Sequence, residues 1–186
     1  MKVLGIDPSL RNFGLAIATL DLKTMKYTVN SLALVETEAD NKNKQVRKNS
    51  TDLERCRVIF REMTDALQGV ELVFCEVPVG SQSARAMASY GFCLGLLASI
   101  QTPLIQVTPS EVKMAATGDK NATKDEMIQW AVGAHPDAGW LRRGKSLIGK
   151  NEHLADAVAS IEAGLRSDQF KQARAIMSWT AEKAAA

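Results

Sequence analysis

Four side chains are placed where they could do chemistry. Asp7 closes the apolar run Val3-Leu4-Gly5-Ile6, and Glu76 closes the run from Val70 to Cys75. Asp156 follows His153 by three residues in Asn151-Glu152-His153-Leu154-Ala155-Asp156-Ala157. On a helix that spacing projects both from one flank of the apolar stripe Leu154, Val158, Ile161 and Leu165. Carboxylates brought side by side repel one another unless a cation lies between them, and oxygen donors suit Mg²⁺ or Mn²⁺. Two such ions about 3.5–4 Å apart can activate a water, neutralise a pentacoordinate phosphorus and stabilise the leaving oxygen. The expected arrangement has Asp7 bridging, Glu76 serving one ion, and Asp156 with His153 serving the other. Imidazole is a poor ligand for Mg²⁺, so His153 is left with three options: ligand to Mn²⁺, contact through water, or positioning of the nucleophile. A single acid after a strand more often just begins a turn, and a helical His-x-x-Asp alone is a weak signal. The reading rests on the set.

These residues must be gathered by the elements that carry them. Residues 2–7, 13–20 and 26–36 read as strands joined by short connections, an antiparallel meander. A helix is expected over 52–67 with Asp52 as its N-cap, its apolar positions Leu53, Cys56, Ile59, Phe60, Met63 and Leu67 recurring every three or four residues. Residues 70–76 read as a second buried strand ending in an acid. If that strand lies parallel and adjacent to the first, Asp7 and Glu76 emerge together at the strand ends, where open α/β sheets bind ligands. Residues 83–100 read as a helix apolar on nearly every face in its later half, buried against the sheet and against a partner subunit. A fifth strand over 103–107 and helices over 109–116, 123–134 and 152–166 complete the order, with 134–150 as a loop. The small residues Ala155, Ala157, Ala159 and Ser160 would let the last helix approach the sheet closely. This order implies an α/β domain with a mixed five-stranded sheet flanked by helices, over residues 1–168, and a partly helical tail over 169–186.

The chain has 186 residues, 46% apolar and 24% charged, with a net charge of +2, ordinary for a globular domain. The distribution of charge is more telling. Lys42, Lys44, Arg47 and Lys48 in one stretch, and Arg142, Arg143, Lys145 and Lys150 in another, have no acid among them. Such loops are either plain solvated segments or phosphate-binding surfaces. Cys56, Cys75 and Cys93 are odd in number and far apart, as packed free thiols would be. The apolar run at the N-terminus breaks at Asp7, too soon for a signal peptide, and no stretch is long enough to cross a bilayer. A cytoplasmic location and no membrane partner are expected.

In this light the motifs resemble those of the RuvC family of Holliday junction resolvases. Gly5-Ile6-Asp7-Pro8-Ser9 with Gly14 is similar to the family's opening, and Glu76 to its second acid. Gly91 and Gly95 fall in the family's positions. Pro109, Val112-Lys113, Thr117-Gly118, Ala122 and Lys124 resemble its Pro-x-x-Val-Lys…Thr-Gly…Ala-x-Lys segment, and His153-x-x-Asp156-Ala157 its terminal acid motif. The resemblance covers residues 3–165 in order. It implies an RNase H-like fold of the retroviral-integrase superfamily and a symmetric homodimer that grips a four-way DNA junction and nicks two strands of like polarity. It further implies two Mg²⁺ ions per site, Mn²⁺ substituting, held by Asp7, Glu76, Asp156 and His153, with Lys113 and Lys124 on the scissile or adjacent phosphates. Lys120, Arg142, Arg143 and Lys145 are added as candidate DNA contacts. A branch-migration motor as partner is left open. Ser9 stands where the family has glycine, Val79 where bacterial members carry a crossover-inserting aromatic, and the 39–51 loop is longer than in cellular members, as in a phage-type or divergent relative.

Three rival readings follow. Sugar and acetate kinases share a Gly-x-Asp-x-Gly opening, but need a second such domain and glycine-rich nucleotide segments that this chain lacks. A nuclease of the same fold acting on flaps, replication forks or RNA–DNA hybrids is the nearer alternative. A non-catalytic junction binder is disfavoured by the intact acidic set.

Overall fold

A computed structural model describes residues 1–38, 47–77, 80 and 82–185. The expectations for Lys42, Lys44 and Val79 fall outside these residues. Strands β1 (Lys2–Asp7), β2 (Asn12–Leu20) and β3 (Tyr27–Glu36) form the antiparallel meander. Helix α1 (Lys48–Ala66) leads to β4 (Leu72–Glu76), which pairs parallel to β1. Helix α2 (Ala84–Ala98) leads to β5 (Leu104–Val107), parallel to β4. The sheet order is β3-β2-β1-β4-β5. Helices α3 (Pro109–Thr117) and α4 (Lys124–Ala134) each open with a capping box, Thr108 with Glu111 and Thr123 with Glu126. A short hairpin, β6 (Arg142–Arg143) and β7 (Ser146–Leu147), precedes α5 (Asn151–Arg166) and α6 (Asp168–Ala185).

Strand alternation divides the core in two. Val3, Leu72 and Phe74 face one layer with α3, α4 and α5, whereas Leu4, Ile6, Val73 and Cys75 face the other with α1 and α2. Helix α5 is the central pillar of the first layer. Leu154, Val158 and Ile161 are fully buried, each contributing about 1.5–3 kcal/mol by transfer from water.

Several boundaries differ from the sequence expectation. Helix α1 starts at Lys48, four residues before Asp52, so part of the expected basic loop is helical and Asp52 is not a cap. Asp52 is instead buried, held by Arg85 at 2.6 and 2.7 Å and by Arg55 at 3.3 Å. A carboxylate able to cap a helix is equally able to accept two guanidinium forks, and the local pattern does not tell these apart. The 134–150 stretch is not simply a loop, since it contains the hairpin. Helix α2 buries only Cys93, Leu96 and Leu97 within the chain, leaving Met87 and Leu94 exposed. Helix α6 continues directly from α5 and buries Phe170 against Phe74, ring centroids 5.8 Å apart. The three cysteines are free. Among the described residues no helix is long and apolar enough to cross a membrane.

Candidate active site

Register places the first two acids. Ile6 pairs with Cys75 across the parallel β1–β4 ladder, so Asp7 and Glu76 follow at neighbouring strand ends. Parity sets their direction: Asp7 continues the Val3–Gly5 face and Glu76 the Leu72–Phe74 face, so both turn towards α5.

Helix α5 can reach them because glycines remove what would stand between. A Cβ on Gly5 would lie 2.0 Å from the Ala157 carbonyl oxygen, and one on Gly14 would lie 2.2 Å from that of His153. Further along, a Cβ on Gly164 would strike the Phe74 ring at 2.0 Å. Backbone therefore rests on backbone across β1 and β2. Gly14 is also the residue paired with Asp7, so the same contact that seats the first turn of α5 sets its distance from the acid. His153 Nδ1 lies 2.7 Å from Asp7 Oδ2, and Asn12 Nδ2 lies 3.2 Å from His153 Nε2. With the Asn12 amide donating, Nε2 accepts and Nδ1 carries the proton towards Asp7.

The electrostatics are those of acids crowded together. Burial, then the charges of Asp7 and Asp156, push Glu76 up to about 8 against a lowering by Lys113. Burial and Asp7 push Asp156 up to about 7, with His153 and Lys113 opposing. Burial also raises Asp7, outweighing the His153 bond that lowers it. For His153, burial pulls the imidazole down, but the hydrogen bond and charge of Asp7, with Glu152 and Asp156, raise it overall. The four expected residues thus share one electrostatic neighbourhood. Among the described residues no three His, Cys, Asp or Glu side chains close on one point as a finished metal site, and His153 meets Asp7 by a hydrogen bond. Neighbouring Cys75 is buried and its thiol raised well above its ordinary value, first by burial and then by Asp7 and Glu76.

The basic candidates divide. Lys113 on α3 acts on both Glu76 and Asp156, and so stands beside the acids. Lys124, the first residue of α4, extends to Glu152 at 2.6 Å and feels the charges of Glu152 and Asp156, which raise it. Lys120 lies exposed in the α3–α4 turn, with no ion pair among the described residues. Arg142, Arg143 and Lys145 are exposed on the hairpin. Two contacts were not anticipated from sequence. Glu152 stands between Lys124 and His153, 3.4 Å from His153 Nε2, and Asn12 braces the far side of the same ring. The adjacency of Glu152 to His153 is the one sequence signal for the first; the second depends on β2 lying under α5. A cavity of about 610 Å³ between the end of β3 and α1 is lined by Glu36, Glu54 and Arg55 among others and does not include the acids. The acids lie at the C-terminal ends of the inner strands β1 and β4 and on α5.

Residues 3–133 match the family model described as crossover junction endodeoxyribonuclease RuvC. The RuvC of Anaeromyxobacter sp. is 30% identical over 139 residues, covering 73% of this chain and 65% of that protein. The RuvC of Paenarthrobacter aurescens is 31% identical over 132 residues, covering 69% of this chain and 66% of its own length. The chain thus spans just under two thirds of these relatives. Among solved structures, Thermus thermophilus RuvC in complex with Holliday junction substrate superposes with a TM-score of 0.63 at 23% identity, covering 88% of this chain and 92% of that one. The RNase H-like architecture expected from the sequence is therefore present. The family match stops short of α5, so the positions of His153 and Asp156 rest on the geometry above. The chain belongs to the crossover junction endodeoxyribonuclease RuvC family.

Proposed function

We propose that this protein is a structure-selective endonuclease that resolves four-way DNA junctions by paired, metal-dependent nicks in strands of like polarity. One observation carries the reading beyond family membership. Two strand ends and one tightly seated helix gather Asp7, Glu76, Asp156 and His153, where burial and the charge of Asp7 raise both Glu76 and Asp156, and Asp156 raises Glu76 further. Groups that repel in this way favour a divalent cation between them, and an oxygen-rich donor set with one imidazole fits Mg²⁺ or Mn²⁺.

Asp7, Glu76 and Asp156 would hold the ions, two per site, with His153 as fourth member. When bound, the ions supply Lewis acidity at the scissile phosphate and a water of lowered pKa. The chain's own residues do the rest. Asp7 accepts from His153 and fixes its ring, Asn12 holds the ring's other nitrogen, and His153 can thereby keep a proton beside Asp7. Lys113 offers positive charge next to Glu76 and Asp156, and Lys124 stands ready at the same end of the sheet for an incoming phosphate. Lys120, Arg142, Arg143 and Lys145 would contact the DNA away from the cut.

Paired nicks need paired sites, which a symmetric homodimer supplies. Its support is the apolar surface the single chain leaves uncovered: Met87 and Leu94 on α2, with Phe60 on α1, are each more than 40% exposed. We place the protein in the cytoplasm of a bacterial or phage-infected cell, where such junctions arise.

The test is a Mg²⁺-started assay on a synthetic mobile four-way junction, beside a replication fork and an RNA–DNA hybrid. Paired symmetrical nicks confined to the junction are expected. Preferential cutting of the hybrid or fork would overturn the reading.

A further inference from the structure

We infer that the β6–β7 hairpin is a rigid clamp for the phosphates of the duplex arm leading away from the cut. The inference rests on the junction reading above and deepens it, giving the hairpin's contact a rigid mount, a chemical target and a place on the substrate.

Residues 138–151 contain Arg142, Arg143, Lys145 and Lys150 and no acid. All four are exposed. Lys150 is paired with Glu36, but Arg142, Arg143 and Lys145 have no ion pair among the described residues. Other cations do find partners within the chain: Lys124 has Glu152, and Arg55 and Arg85 share Asp52. Three cations on one tight turn, without an ion pair among the described residues, suit an anion from outside the chain, and guanidinium forks match phosphate oxygens. The two-residue turn is made by Gly144, whose φ of 62° suits glycine, and Lys145. Arg142 Nη1 donates to the Lys145 carbonyl at 3.1 Å, which fixes one cation across the tip.

The mount is what distinguishes this patch from a solvated loop. Asn151, fully buried, accepts from the Leu141 amide at 2.9 Å and donates to the carbonyls of Leu141 at 2.8 Å and Ile148 at 3.0 Å. It clips both legs of the hairpin to the first residue of α5, two residues before His153. The Lys150–Glu36 pair ties the base to the end of β3, where Glu36 pairs with Asn12 at the end of the sheet that carries Asp7. From Asn151 to the tip is six residues, at most about 20 Å of extended chain. At about 3.4 Å per base pair, the cations meet phosphates within the first helical turn beyond the cut. The strands are only two residues long, too short to read bases deep in a groove, so the contact is to the backbone and insensitive to sequence.

The test compares wild-type protein with the Arg142→Ala, Arg143→Ala, Lys145→Ala triple variant on junctions with long arms and on junctions whose arms are shorter than one helical turn. On long arms the variant should bind about tenfold more weakly, with the slope of log affinity against log salt reduced by about 2–3, near 0.9 for each lost phosphate contact. Shortening the arms should weaken the wild type and close most of the gap to the variant. Equal binding of the two proteins on long arms, or an equal deficit on both arm lengths, would overturn the clamp while leaving the junction reading intact. Wild-type protein that neither prefers nor cuts a four-way junction would remove both.

Discussion

Two regions of this molecule bury carboxylates, and they do so in opposite ways. Asp52, packed between α1 and α2, is met by Arg85 and Arg55, and the Arg85 bonds hold it below its usual range. Asp7, also buried, lies near Glu76 and Asp156, and all three are raised, first by burial. The first cluster is electrostatically closed within the chain. In the second, burial and neighbouring carboxylates outweigh His153 and Lys113, and the acids hold their protons more tightly than usual. A buried acid that the chain neutralises serves the fold; buried acids set against one another support the metal-site proposal above.

The sharpest way to break this comparison is to remove the acids one at a time. Asp7→Asn, Glu76→Gln and Asp156→Asn should each reduce junction cleavage on the order of a thousandfold while binding persists or tightens, as read by nicking and by gel shift. Near wild-type cleavage by any of them would take that residue out of the site. Gly14→Ala comes next. Its methyl would press on the His153 carbonyl and lift the first turn of α5, and a displacement of about 1 Å at a reacting centre costs on the order of 100-fold in rate. Asp52→Asn is the counterpart in the closed cluster. It should lower stability by about 2 kcal/mol, leaving two arginines without their acid, and a folded sample below its melting point should still cleave. The smallest effect is Lys124→Ala, expected to slow cleavage and to reduce the salt slope of DNA binding by about 1.

How much of this could be read beforehand follows from the range of each interaction. The ends of β1 and β4 were legible because an apolar run stopping at a carboxylate is a local signal, and the short β1–β2–β3 connections fixed the meander. The closeness of α5 was half legible, through Ala155, Ala157, Ala159 and Ser160. The other half, Gly5 and Gly14 on the strands beneath, depends on register. The start of α1 was misread because Asp52 looks like an N-cap in isolation, whereas its partner Arg85 lies 33 residues away. The hairpin was missed because its strands are two residues long, below any periodic signal, and Asn151 shows its role only once Leu141 and Ile148 are in place. Asn12 and Glu152 belong to the same class: contacts made by the fold.

The central claim, that Asp7, Glu76 and Asp156 together require a divalent cation, is open to one direct measurement. Glu76 at about 8 and Asp156 at about 7 are held above the unfolded carboxyl range. Below about pH 4 both states are protonated and the shifts cost nothing. As pH rises the unfolded chain ionises first, so the metal-free protein loses stability until the folded groups titrate near pH 7 to 8, beyond which the loss is constant. Thermal unfolding at about pH 8 should therefore show a marked rise in Tm when Mn²⁺ is added to the wild type in place of chelator, about 2.7 kcal/mol at a hundredfold excess over Kd, and little or none in Asp7→Asn. No rise in the wild type, or an equal rise in both proteins, would contradict the account.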